Sequence, residues 1–217
     1  MTDTGSDRVT ASVPPATVYV VDDDPELCES VEWLLDSIGI QPVVCHSATD
    51  FLDVYRGDHP ACIVLDVRMP QMSGPRLQET LNSIAPHVVV VFVSAHGDIR
   101  MSVSTLQAGA MDFLEKPYDP QRLLDVVQAG VGRARSRFAT HLQKKSIEAK
   151  VATLTPRERE ILGLVVEGLP SQNIARMLSM SVKTVDVHRA RIKSKTDADS
   201  VTTLVRDILR YDVTIPG

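Results

Sequence analysis

Five short apolar runs, each followed by a stretch of helical period, occupy the chain from Thr17 to Ala129 and leave few folds open. They are TVYVV (17–21), PVVCH (42–46), ACIVL (61–65), VVVVFV (88–93) and MDFLE (111–115). After the first run, Pro25 stands in an opening turn. Leu27, Val31, Leu34, Leu35 and Ile38 then repeat at helical spacing until Gly39 closes the segment. Further helices are expected near 48–55, 74–83 and 98–108, and from about Pro120. Strands that are apolar throughout, rather than alternating, belong to a parallel sheet covered on both faces. The expectation is a doubly wound α/β domain with a five-stranded parallel sheet in the order 2-1-3-4-5.

The rest of the chain changes character. The last of these helices is expected to run on past residue 130 through a polar, basic stretch that reads as a linker helix. From Leu154 the period stays helical. Thr155-Pro156-Arg157-Glu158 has the pattern of a capping box, with Thr155 as N-cap and Glu158 reaching back. A helix to Glu167 stopped by Gly168, short helices near 171–179 and 182–195, and a fourth near 200–211 make a small all-α module. The expected organisation is a flexible tail over 1–16, the α/β domain over 17–130, a linker helix over 131–152 and the helical module over 153–217.

Charge follows the same division. Residues 1–132 carry 7 Lys and Arg against 19 Asp and Glu, a balance of −12, while residues 133–217 carry 16 against 9, a balance of +7. Two parts of opposite sign suit different partners, nucleic acid first for the basic one. No apolar run approaches the ~20 residues that span a bilayer, so no membrane partner is expected. Cys28, Cys45 and Cys62 lack metal-ligand spacing and read as buried thiols of a cytoplasmic protein.

In an open α/β sheet, ligands sit at the carboxyl ends of the strands. Here those ends carry Asp22, Asp23 and Asp24 after the first strand, Asp66 after the third, Ser94 after the fourth and Lys116 after the fifth. The strand order would bring these groups together, and a hard divalent cation, Mg²⁺ above all, would neutralise the carboxylates. A carboxylate so placed is a nucleophile for a phosphoryl group, with Lys116 and Ser94 positioned for the transferred oxygens. The order and spacing of VVDDDP, LDVRMPQMSG, VSAHGD and GAMDFLEKP resemble the flavodoxin-like receiver domain of two-component response regulators. The resemblance implies Asp66 as phosphoacceptor, and Asp22 and Asp23 as the acidic pair holding Mg²⁺ with Asp66 and the Arg68 backbone carbonyl. It also implies Ser94 and Lys116 as phosphoryl contacts and Phe113 as the aromatic switch residue. Asp24 receives no role from it.

In the helical module, the segment 181–195 places Ser181, Val185, His188 and Ile192 on one face for packing. Lys183, Asp186, Val187, Ala190, Arg191 and Ser194 form the opposite stripe, whose small and basic residues suit a major groove. Thr184, Arg189, Lys193 and Lys195 flank it within reach of phosphates. LTPREREIL followed by GLPSQNIARMLSMSVKTVDVHRARIKSK resembles the LuxR-type helix-turn-helix of the NarL/FixJ family, with Glu158, Gly168, Ile174, Ala175, Leu178, Thr184, Val185 and His188 on its signature. Asp186 departs from the lysine some members carry there.

The resemblance implies a transcription factor rather than an enzyme, its own chemistry limited to acquiring and losing a phosphoryl group. A sensor histidine kinase, promoter DNA, a second copy of the chain after phosphorylation and RNA polymerase are the partners it implies. Two other functions use the same residues: a DNA-binding regulator indifferent to phosphorylation, and an Asp/Mg²⁺-dependent phosphohydrolase. The hydrolases of that class usually place a second aspartate two residues after the nucleophile, where this chain has Arg68.

Overall fold

The apolar runs become strands because β-branched side chains pack well on a pleated surface. In the computed structural model, which describes residues 13–95 and 99–216, they are β1 (Thr17–Val21), β2 (Val43–Cys45), β3 (Ala61–Asp66), β4 (Val89–Ser94) and β5 (Asp112–Glu115). All pairs are parallel and the order is β2-β1-β3-β4-β5, as expected. The intervening helices are α1 (Pro25–Asp36), α2 (Ala48–Val54), α3 (Gly74–Ile84), α4 (Ile99–Gln107) and α5 (Pro120–Ala152). Residues 1–12 of the expected tail and His96, Gly97 and Asp98 of the VSAHGD run lie outside the described residues.

Every residue of β3 and β4 is buried, and the period-2 alternation of a strand divides them between two cores. Tyr19, Val21, Ile63, Leu65, Val90 and Phe92 face one layer with Phe51 of α2 and Leu77 and Leu81 of α3. Val18, Val20, Cys62, Val64, Val91 and Val93 face the other, with Val31 and Leu35 of α1 and Leu123 and Val127 of α5. Burying each such side chain contributes about 1.5–3 kcal/mol. The three cysteines are free and buried. Burial pushes the thiols of Cys28 and Cys45 up to about 11 and that of Cys62 up to about 12.

The chain divides into two compact units, Met1–Ala139 and Thr140–Gly217. The helix α5 is continuous through residues 139 and 140. Its Ala134 belongs to the core of the first unit, whereas Ile147 and Val151 belong to the core of the second.

The second unit contains α6 (Pro156–Val166), α7 (Ser171–Met177), α8 (Val182–Thr196) and α9 (Val201–Arg210). The capping box at α6 forms as expected: the Thr155 hydroxyl accepts from the Glu158 N–H at 3.3 Å, and the Glu158 carboxylate accepts from the Thr155 N–H at 2.8 Å. Gly168 stops the helix with φ +85°, a left-handed conformation that favours glycine. Ile161, Leu162, Ile174, Val185, Ile192, Leu204 and Ile208 interlock as the core. Ser181, expected on the packing face, instead caps α8. Its hydroxyl accepts from the Thr184 N–H at 3.0 Å, because the N–H groups of a first turn have no partner within the helix.

Candidate functional site

The strand order brings Asp22, Asp66, Ser94 and Lys116 to the carboxyl edge of the sheet. Asp22 follows β1 and Asp66 ends the adjacent strand β3, and Val93, next to Ser94, pairs with Asp66. The Lys116 backbone N–H donates to the Ser94 carbonyl at 2.7 Å, which fixes β5 against β4 at this point. From there the Lys116 ammonium donates to Asp22 Oδ2 at 2.9 Å and to Asp66 Oδ1 at 3.1 Å. The remaining carboxylate oxygens are also held: Asp22 Oδ1 accepts from the Asp24 N–H at 3.0 Å, and Asp66 Oδ2 from the Arg68 N–H at 2.6 Å.

Two buried carboxylates share one cation. Burial, then the charge of Asp22, raises the Asp66 carboxyl above its ordinary value against the pull of Lys116 and the Arg68 N–H. Burial opposes the charge on Lys116, but the hydrogen bonds and charges of Asp22 and Asp66 outweigh it and hold the ammonium above its ordinary value. Asp66 keeps 8% of its surface open to solvent and Ser94 only 2%.

Of the carboxylates expected at this point, Lys116 bridges Asp22 and Asp66, and Asp23 beside them is exposed. The donor set, carboxylate oxygens with a backbone carbonyl at Arg68, nevertheless has the hard-oxygen chemistry that suits Mg²⁺. Phe113 is half-buried on β5 opposite Phe92, their rings 6.4 Å apart.

Three further residues support the site. Asp24, left without a role, caps α1 by accepting from the Glu26 and Leu27 N–H groups at 3.0 and 3.3 Å. The Cys28 thiol donates to the Asp22 carbonyl at 3.3 Å. Gly74 opens α3 against the backbone of Asp66: a Cβ here would collide with the Asp66 carbonyl oxygen and approach Phe92 Cε1 at 2.9 Å. Replacing Gly74 by alanine is therefore expected to cost about 1–3 kcal/mol, the usual cost of overpacking. Urea unfolding should show a lower midpoint at unchanged slope. A midpoint equal to wild type would refute the close approach.

On α8 the six stripe residues Lys183, Asp186, Val187, Ala190, Arg191 and Ser194 are all exposed, whereas Val185 and Ile192 are buried and His188 is half-buried. Thr184 and Lys193 are exposed beside the stripe, and Arg189 is half-buried. Lys195 has a partner inside the module. Its ammonium donates at 2.7 Å to Glu158, which is only 2% exposed. Burial opposes the charge on Glu158, but the Lys195 and Thr155 hydrogen bonds prevail and hold its carboxyl below the ordinary range. The bond joins α8 to Glu158 of α6, 37 residues away along the chain, and the Lys195 side chain stays exposed.

Comparison with known proteins agrees with this geometry. The response regulator receiver domain family matches residues 18–128, and the bacterial regulatory proteins of the luxR family match residues 152–207. The transcriptional regulatory protein TdiR of Thauera aromatica is 41% identical over 195 residues, covering 90% of this chain and 86% of that protein. The transcriptional regulatory protein FixJ of Azorhizobium caulinodans is 38% identical over 189 residues, covering 87% and 90%. Among solved structures, the response regulator StyR is similar with a TM-score of 0.69 at 38% identity, covering 91% of this chain and 100% of that one. A receiver-type sheet edge and a LuxR-type helical module in one chain, matched along most of their length by such regulators, place the protein in the NarL/FixJ family of response regulator transcription factors.

Proposed function

We propose that Asp66 accepts a phosphoryl group from a sensor histidine kinase, and that the aspartyl phosphate drives two copies of the chain together on promoter DNA. The observation that carries this reading is the Lys116 bridge between Asp22 and Asp66, which holds the acceptor at the edge of solvent with both oxygens oriented. An Asp66 oxygen bonds to phosphorus as the phosphorus–nitrogen bond to the kinase histidine breaks, and the imidazole departs with the bonding electron pair. Asp22, Asp23, Asp66 and the Arg68 carbonyl would hold Mg²⁺, whose charge would offset that of the phosphoryl oxygens. Lys116 and Ser94 then bind those oxygens, and Lys116 must loosen from Asp22 or Asp66 to do so. This exchange shifts the balance between two arrangements of the Ser94 and Phe113 regions.

The paired surface is α4, β5 and the start of α5, a reading supported by the exposed apolar Ile99, Val103 and Leu106 of α4. Dimerisation of the receivers raises the effective concentration of two DNA-binding modules at a two-fold site, where the bound dimer can engage RNA polymerase. In this reading residues 17–130 are the receiver, 131–152 the linker helix and 153–217 the DNA-binding domain, following a tail of 16 residues. The protein works in the cytoplasm and its own chemistry is limited to gaining and losing the phosphoryl group. Among the described residues no helix is long and apolar enough to cross a membrane. Light scattering on the full-length protein tests the reading: acetyl phosphate with Mg²⁺ is expected to double the solution mass, and an unchanged mass with full phosphate uptake would refute the dimer switch.

A further inference from the structure

Asp186 is a carboxylate on a helix face that otherwise offers cations and small side chains to DNA. Near phosphates an acidic group is unfavourable unless it meets a donor on a base edge. The structure holds it ready for one. Arg189 Nη1 donates to Ser171 Oγ at 3.3 Å, and Ser171 Oγ donates to Asp186 Oδ1 at 3.0 Å. The direction follows from inventory: a guanidinium has no acceptor, so the Ser171 oxygen must accept from it, and the single hydroxyl proton is left for Asp186. The half-buried Arg189 and Ser171 thus form a strut that fixes an exposed carboxylate. A carboxylate has about four lone-pair sites, so oxygens remain for a base. Fixing the group beforehand removes part of the ordering cost of recognition.

Resting on the reading of α8 as the helix that enters the major groove, we infer that Asp186 reads the N4 amino group of a cytosine in each half-site. The major-groove edges leave little choice. Guanine shows only the N7 and O6 acceptors and thymine the O4 acceptor with a methyl group, so both repel a carboxylate. Adenine offers its N6 amino group beside the N7 acceptor, a pair that suits an amide rather than two acceptor oxygens. Cytosine presents N4–H donors alone. Asp186 therefore selects by attraction to one base and by repulsion of others.

The test is selection of binding sites from a duplex pool randomised over the site, using the full-length chain with and without acetyl phosphate. Wild type is expected to enrich cytosine at one position of each half-site, with about tenfold preference over guanine. Asp186→Ala is expected to flatten that position alone while still selecting the others. Asp186→Asn should move the preference to adenine, whose N6 and N7 match an amide, a change that loss of folding would not produce. An Asp186→Ala profile identical to wild type at every position overturns the inference. A Lys183→Ala, Arg191→Ala double variant is run in parallel. Undiminished enrichment by it would show that α8 is not the reading helix, a failure of the underlying reading and not of Asp186 alone.

Discussion

Asp66→Asn is expected to take up no phosphate from acetyl phosphate and Mg²⁺ under conditions that label the wild type, while remaining folded. The amide nitrogen and oxygen lack the nucleophilicity of a carboxylate, so the loss is all-or-none rather than graded. Stability should change little because two effects oppose. Removing the carboxylate relieves the burial and the Asp22 repulsion that raise the Asp66 carboxyl above its ordinary value. Against that, Lys116 and the Arg68 N–H both donate to Asp66, and an asparagine has only one oxygen for the two. Thermal unfolding close to wild type combined with absent labelling is the expected pair of results. Labelling of the variant to wild-type stoichiometry would remove Asp66 as acceptor.

Removing the two cations of the α8 stripe, Lys183 and Arg191, is expected to weaken binding to the selected site about a hundredfold, since each base or phosphate contact of this kind contributes about 1–3 kcal/mol. Both side chains are exposed, so the core formed by Val185 and Ile192 should be untouched and the melting temperature retained. The slope of log affinity against log salt should fall by about one unit for each cation that meets a phosphate. A variant with undiminished affinity and slope in a salt titration would move the DNA interface off α8. Lys195 is a useful contrast. Its bond to the 2% exposed Glu158 means that Lys195→Met leaves a buried carboxylate without its cation, and the resulting loss is one of folding stability.

The elements themselves were legible because each rests on a local pattern. The unbroken apolar runs at 61–65 and 88–93 could belong only to strands covered on both faces, and β3 and β4 are buried throughout. The Thr155 capping box was readable from four consecutive residues. Ser181 was misplaced for a related reason: helical periodicity assigns it to the Val185 face, but a residue one position before the first turn answers to the unpaired N–H groups instead. Asp24 sits in a run of three acids whose pattern does not distinguish a cap from a charge cluster; in the fold its carboxylate serves the backbone of α1.

Which chemical groups stand at the strand ends and which face of α8 is open follow from the residues alone, because periods of 2 and 3.6 residues are written into any short window. How those groups pair depends on the packing of elements far apart along the chain. The Lys116 bridge joins residues 94 and 50 positions away, the Asp66 carbonyl leaves no space for a side chain at Gly74, and Ser171 reaches 15 residues to orient Asp186. A local window records which side a residue faces; the partner on that side depends on how distant elements pack, and in this protein that packing bridges two strand-end acids with one lysine and fixes a surface aspartate.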